Sequence, residues 1–325
     1  MIVVRTPLRI SFLGGGTDFP EYYREHSGAV LSTAIDKYIY VIVKQRFDHK
    51  VYVNYSKKEI VENFTELDHE LVREAMRVTE VEQGVEITTL ADVPSSGTGL
   101  GSSSSVTVGL LQALYAFRGH LVTAETLARQ ACEIEIERCG KPIGVQDQYI
   151  AAYGGLRQLD FQEDGKVSVI DLGLGQELLL RLNRNLMLFY THITRPSASV
   201  LTEQRDNIGE RRASLVGLRN LALQARDCLK SDDLSEFGEL LHQGWELKKG
   251  LASGVTNITL DEHYRAAREA GALGGKISGA GGGGFLLLYC PLAYQDDVRN
   301  ALSSLRELPF AFDSDGSRVV FNLGR

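Results

Sequence analysis

Residues 94–105 read Pro94-Ser-Ser-Gly-Thr-Gly-Leu-Gly-Ser-Ser-Ser-Ser105 and run straight into Val106-Thr-Val-Gly-Leu-Leu-Gln-Ala-Leu-Tyr115. Glycines 97, 99 and 101, followed by hydroxyls, stand at the mouth of an apolar stretch that predicts a helix over 104–118. With no Cβ in the way, backbone N–H groups converge at the positive end of the helix dipole, a geometry suited to a polyphosphate. Flexible linkers share this composition, but a linker does not lead directly into an apolar helix. The Gly-Lys-Ser/Thr ending of the commoner phosphate loop is absent, and no G-x-G-x-x-G follows a strand. Read alone, the loop is either a phosphate site or a tight helix-entry turn.

Outward from this loop, 325 residues allow a large core and predict two domains. A formal net charge of −7 with no basic run argues against nucleic acid or an anionic membrane as partner. The longest uncharged stretch, 277–295, is broken by glycines and Pro291, so it does not read as a membrane span. The opening Met-Ile-Val-Val-Arg-Thr-Pro lacks a signal-peptide layout. Cys132, Cys139, Cys228 and Cys290 form no Cys-x-x-Cys pair and read as reduced thiols of a cytoplasmic protein.

Short β-type runs at 2–6, 9–12, 38–45, 51–55 and 85–89 dominate the first hundred residues. A helix is predicted over 68–78 with Leu71, Val72, Ala75 and Met76 on one face. A helix over 123–139, capped by Thr123, follows the one after the loop. A hairpin over 156–161 and 167–171 precedes a boundary near 173–177, giving domains 1–175 and 176–325. The second half predicts a strand at 186–190 and one long helical stretch over 198–230 whose arginines read as a solvated face. Helices over 234–252 and 260–270, a strand at 285–289, a helix over 294–305 and a strand at 318–321 complete it. The fold class read from this order is α+β.

The pattern Pro-x-x-x-Gly-Leu-Gly-Ser-Ser followed by Ser resembles the second signature motif of the GHMP kinases. Two further segments look like the family's first and third motifs in the right order: Arg5-Thr-Pro-Leu-Arg-Ile-Ser-Phe-Leu-Gly-Gly-Gly-Thr-Asp18 and Gly274-Gly-Lys-Ile-Ser-Gly-Ala-Gly-Gly-Gly-Gly284. The resemblance implies an N-terminal ribosomal-protein-type α/β domain, a C-terminal ferredoxin-like α+β domain, and ATP with Mg2+ as cofactors. It places the ATP phosphates on Pro94, Gly97, Gly99, Leu100, Gly101, Ser102, Ser103 and Ser104, with Ser103 matching the metal-liganding serine.

At 100° per residue Glu135 flanks the apolar stripe of Leu127 and Ile134, whereas Glu133 and Glu137 fall on the opposite side. A carboxylate on a buried flank needs a partner, either Arg138 or a metal. Glu135 stands twelve residues before Asp147, the spacing of the family's metal-binding glutamate and catalytic aspartate. Asp147 sits in Gly140-Lys-Pro-Ile-Gly-Val-Gln-Asp-Gln148, a segment that resembles the one carrying the catalytic aspartate of galactokinases and heptose kinases. There it would accept the acceptor's proton or orient its hydroxyl; from the residues alone it also reads as a helix cap. Arg9 matches the first-motif basic residue, which would screen the γ-phosphate; its plainer reading is a strand-edge arginine. Asp18, otherwise a helix cap, matches the sugar-binding aspartate.

Galactokinases carry Gly-Glu-His-Thr-Asp where this chain has Gly14, Gly15, Gly16, Thr17 and Asp18. Losing two long polar side chains opens room over the sugar, and Gly-Gly-Gly-Thr-Asp resembles the D-glycero-D-manno-heptose 7-phosphate kinases. That resemblance implies transfer to the anomeric hydroxyl of a sugar already bearing a phosphate. Thr194, Arg195, Ser197 and Ser199, in a strand-to-helix run, are the candidates for the second phosphate, with Lys141 a weaker one. The third loop, with Gly279, Gly281 and Gly282, is expected to lay backbone against the phosphate loop, unless it is only a strand lead-in. Lys276 or Ser278 would add a contact. The partners are therefore ATP and a sugar phosphate, with no nucleic acid or membrane, for a monomer or homodimer. The alternatives are a fucose- or other hexose-1-kinase and, in another class, a non-catalytic ligand-binding protein of the same fold.

Overall fold

The structure is a computed structural model and describes residues 1–94, 97–194 and 196–323. The first half runs β1 (Ile2–Leu13), α1 (Pro20–His26), β2 (Gly28–Gln45), β3 (Val51–Asn54), β4 (Lys58–Val61), α2 (Glu70–Thr79) and β5 (Val85–Ala91). It continues through α3 (Ser102–Phe117), α4 (Ala124–Cys132), α5 (Gln146–Tyr153), β6 (Leu156–Phe161) and β7 (Val167–Asp171). The second half runs α6 (Gln176–Arg184), β8 (Leu186–Tyr190), α7 (Ser197–Asp206), α8 (Arg212–Lys230), α9 (Leu234–Lys249) and α10 (Ile258–Glu269). It closes with β9 (Gly274–Ile277), β10 (Phe285–Tyr289), α11 (Gln295–Ala301), β11 (Arg306–Glu307) and β12 (Arg318–Asn322).

Eight strands form the first sheet, in the order β12-β1-β2-β5-β3-β4 with β6 and β7 branching from β2. The branch follows from length: Gly28–Thr33 of β2 pair with β6 while Ile39–Gln45 pair with β5. From Thr6 onward β1 is buried on both faces, because α3 packs on β1 and β2 and α8 and α9 pack on the same pair of strands or on β1. This double cover explains an apolar run where a half-exposed strand would alternate. The second sheet, β11-β8-β10-β9, is antiparallel throughout, with α9 against β9.

Three expectations are corrected. The long helix over 198–230 is two helices, α7 and α8, separated by residues 207–211 around Gly209, where a poor helix former coincides with the break. The α-helix over 123–139 gives way after Cys132 to a π-helical turn, Glu133–Arg138. The last strand, counted with the second half, joins the first sheet: β12 pairs at its edge, Arg318 opposite Arg5. By contrast, Leu71, Val72, Ala75 and Met76 are buried on α2 as their spacing requires. Among the described residues no helix is long and apolar enough to cross a membrane.

Candidate active site

The glycine loop is pinned where it enters α3. Gly101 caps α3 in the left-handed region at φ 75°, and the Leu100 carbonyl accepts the Arg9 N–H of β1 at 3.0 Å. Leu100 itself is core, and Pro94 is exposed. Gly99 has φ +73°, and a β-carbon there would stand 2.4 Å from the Ser278 carbonyl oxygen. The glycine loop before α3 and the third glycine loop therefore meet backbone to backbone, as expected. Between them opens a cleft of about 750 Å³, with Gly97, Gly99 and Ser102–Ser104 on one side and Gly279 and Gly281 on the other. Gly282 is held outside that lining, its N–H donating to the Val255 carbonyl at 2.7 Å.

A smaller pocket of about 70 Å³ adjoins this cleft and is lined by Gly15, Gly16, Asp18, Gln146 and Lys248. The two cavities share Arg9 and Asp147. Arg9 Nε donates to Asp147 Oδ1 at 2.6 Å and Nη2 to Oδ2 at 2.7 Å, a two-pronged pair, while Nη1 donates to the Gly99 carbonyl at 2.5 Å. Asp147 lies in the first turn of α5 and does not cap it. Arg9 is a buried organiser rather than a strand-edge arginine.

Asp18 is buried, and its carboxylate accepts from Gly16 N–H and Gln146 Nε2, both at 2.9 Å. Burial raises its pKa above the usual carboxylate value, with the Gly16 hydrogen bond opposing. Helix α1 begins after Phe19 without a side-chain cap, so Asp18 is not its cap. Gly144 makes this approach possible, since a β-carbon there would fall 2.0 Å from Asp18 Oδ2. Gly14 and Thr17 support the turn from behind, Thr17 Oγ1 donating to the Gly14 carbonyl at 2.8 Å.

Glu135 is fully buried, as expected, though on the π turn and not in α-helical phase, whereas Glu137 is exposed and Glu133 bonds Arg138 at 2.7 Å. The π turn presents both Ile134 and Glu135 to the interior. Glu135 accepts from Ser103 Oγ at 2.5 Å, Ser104 Oγ at 2.7 Å and Gln148 Nε2 at 2.7 Å. Lys141 stands 3.8 Å from Glu135, 3.4 Å from Glu70 and 3.1 Å from Ser103 Oγ. Burial raises the Glu135 pKa, and Lys141 most strongly opposes that rise. The pairing of Glu135 with Arg138 is not made.

Thr194 and Ser197 line the large cleft rather than the Asp18 pocket. A β-carbon on Gly97 would stand 3.1 Å from Thr194 Cβ, which puts Thr194 against the glycine loop before α3. Arg195 lies outside the described residues, and Ser199 Oγ turns back to the Pro196 carbonyl at 3.1 Å. Ser278 lines the large cleft, while Lys276 is buried beneath, donating to the Ser11 and Phe12 carbonyls at 2.8 and 3.0 Å.

The N- and C-terminal domain models of the GHMP kinases match residues 54–155 and 225–308. A D-glycero-alpha-D-manno-heptose 7-phosphate kinase of Campylobacter jejuni is 30% identical over 305 residues, covering 89% of each chain. The chain belongs to the GHMP kinases. A Pyrococcus furiosus galactokinase is 25% identical over 87% of each chain. Among solved structures, a D-glycero-D-manno-heptose 1-phosphate kinase of Bacteroides thetaiotaomicron superposes with a TM-score of 0.82 over the full length of both chains at 24% identity, a likeness of fold.

Within this GHMP kinase the sequence motifs do not mark Lys248. Its ammonium donates to the Gly279 carbonyl, and burial pulls its pKa down to about 8. In sequence it is one of two lysines closing α9, where basic residues ordinarily offset the helix dipole. Its neighbour Lys249 does only surface work, pairing with Glu246 at 2.8 Å. Ser11 and Gln146 are equally hidden in the sequence, one inside an apolar strand and the other beside the motif aspartate.

Proposed function

We propose that this GHMP kinase transfers the γ-phosphoryl group of ATP to the anomeric hydroxyl of D-glycero-D-manno-heptose 7-phosphate, giving the 1,7-bisphosphate. The observation that carries the reading is the junction: a glycine-walled cleft sized for a nucleotide and a small acceptor pocket share the Arg9–Asp147 pair. ATP phosphates lie along Gly97–Ser104, where N–H groups of the loop and the start of α3 face the cleft. Asp147 accepts the hydrogen bond of the acceptor hydroxyl and takes its proton as the new O–P bond forms. The bond from the γ-phosphorus to the β-bridging oxygen breaks, and its electrons leave on ADP. Arg9 fixes the orientation of Asp147 and supplies positive charge beside the moving group.

Mg2+ fits the residues present. Ser103 Oγ is a hard oxygen donor at the cleft wall, and Glu135 Oε1, a second one, stands buried directly behind it and accepts its hydrogen bond. Among the described residues there is no group of three or more His, Cys, Asp or Glu that could hold a metal ion, so the remaining ligands would come from the nucleotide phosphates and water. When bound, the ion neutralises charge on the β- and γ-phosphates. Lys141 answers part of the Glu135 charge until then. The unpaired cysteines suit a reducing compartment, and we assign the reaction to the cytoplasm.

For the substrate, the Campylobacter relative's activity supports a heptose 7-phosphate. So does the space at Gly15, where a β-carbon would meet nothing closer than 3.7 Å. The distal phosphate is assigned to Thr194, Ser197 and, from the sequence alone, Arg195: Thr194 and Ser197 line the large cleft, and Leu201 of α7 lines both cavities. An ATP-consumption screen over free sugars and sugar phosphates tests the reading. The heptose 7-phosphate should give the highest kcat/KM. A free hexose in first place would install the hexose-1-kinase reading, and ATP binding without turnover of any sugar would leave a binding protein.

A further inference from the structure

The acceptor pocket contains three polar side chains that the reaction above leaves unused. Ser11 Oγ and Gln146 Oε1 are buried there and have no hydrogen-bond partner, a costly state for a polar atom. The orientation of the Gln146 amide is set by its neighbour. Its Nε2 donates to Asp18 Oδ2 at 2.9 Å, and a flip would turn the amide oxygen onto the carboxylate, so the orphan is an acceptor. The two side chains flank one spot, since a β-carbon on Gly15 would lie 3.7 Å from both the amide nitrogen of Gln146 and Ser11 Oγ.

Lys248 also lines this pocket, 5% exposed, with one of its three N–H donors given to the Gly279 carbonyl. Burying an ammonium opposes folding, which its lowered pKa reflects. A donor cation, an amide oxygen and a hydroxyl therefore converge beside Asp18 with hydrogen-bonding capacity to spare. That is the complement of a ring bearing several hydroxyl groups.

We infer that Ser11, Gln146 and Lys248 are acceptor-recognition residues, hydrogen-bonded to ring hydroxyls of the sugar in the ground state. The inference rests on the placement of the acceptor in the Asp18 pocket. It accounts for the orphaned atoms, which a purely structural role does not. Ser278 Oγ, also unpaired, lines the large cleft and belongs to the donor side.

The test compares Ser11→Ala and Lys248→Met with the wild type, on whichever sugar the wild type phosphorylates best. Ser11→Ala should raise KM for the sugar roughly 2- to 12-fold and Lys248→Met roughly 12- to 150-fold, the ranges for a neutral and a charged hydrogen bond. KM for ATP should stay within about twofold of wild type, and Tm should hold or rise, because each change removes an unsatisfied or desolvated group. Ser11→Ala removes a single oxygen, so it keeps the test alive should Lys248→Met fold poorly. An unchanged sugar KM in Ser11→Ala, a matching rise in both KM values, or a fall in kcat alone would overturn the inference. A preferred sugar other than the heptose 7-phosphate would overturn only the functional reading.

Discussion

At Asp147 both carboxylate oxygens accept from Arg9, so the acid is aimed before any substrate arrives. Asp147→Asn should lower kcat by about 10²–10⁴-fold and leave nucleotide affinity near wild type, because in the proposed reading the glycine loop holds the phosphates. Single-turnover kinetics with a parallel ATP-binding titration reads both; kcat within a few-fold of wild type would remove Asp147 from the reaction. Glu135, Glu133 and Glu137 form a controlled series. Glu135→Gln should raise the Mg2+ concentration needed for half-maximal activity, and Glu133→Gln and Glu137→Gln should not. Because burial raises the Glu135 pKa, the folded state binds its proton more tightly than the unfolded chain, and the cost grows as pH rises. Glu135→Gln should therefore raise Tm at pH 7 in metal-free buffer. Lys248 has the opposite sign. Its pKa of about 8 is set first by burial, with Arg9 opposing its charge and Asp18 and Asp147 favouring it. The charge is lost as pH rises through about 8, so the sugar KM should climb from pH 7 to pH 9 and be flat in Lys248→Met. The unfolded chain binds more protons between about pH 8 and 10.5, so wild-type stability gains on the variant across that window.

Elements explain what the sequence makes legible. The face of α2 depends on local periodicity, and so spacing alone places Leu71 and Met76; Glu135 is buried as expected but on the π turn that follows α4. The three glycine-rich segments are readable because each needs backbone without side chains at a close approach. What escapes depends on distant partners. Nothing near Lys248 indicates that β1 and the third glycine loop will bury it, and nothing in Arg318–Asn322 says which sheet edge it will complete. The break between α7 and α8 is hidden because Gly209 is tolerable in a helix until tertiary packing chooses otherwise. The contact between the two glycine loops gives the element-scale prediction. Gly99→Ala forces a side chain to φ +73° and against the Ser278 carbonyl, a strain on the order of 1–3 kcal/mol. Thermal melts should show a lower Tm, and KM for ATP should rise more than KM for the sugar; an unaffected ATP KM would mean that the loop contact does not shape the nucleotide cleft.

For the whole molecule, β12 returns to the first sheet, α8 packs on β1 and β2, and α9 packs on β1. The acceptor pocket is consequently assembled from both halves: Ser11, Asp18 and Gln146 from the first, Lys248 and Gly279 from the second. Only the folded chain brings them to the Arg9–Asp147 pair. The most direct measurement is NMR of the product made from ATP and D-glycero-D-manno-heptose 7-phosphate, following the anomeric proton and both phosphorus signals. The account predicts a new phosphorus coupling on the anomeric proton with the 7-phosphate intact. Phosphorylation at any other hydroxyl, or no product while a free hexose is phosphorylated efficiently, would contradict it.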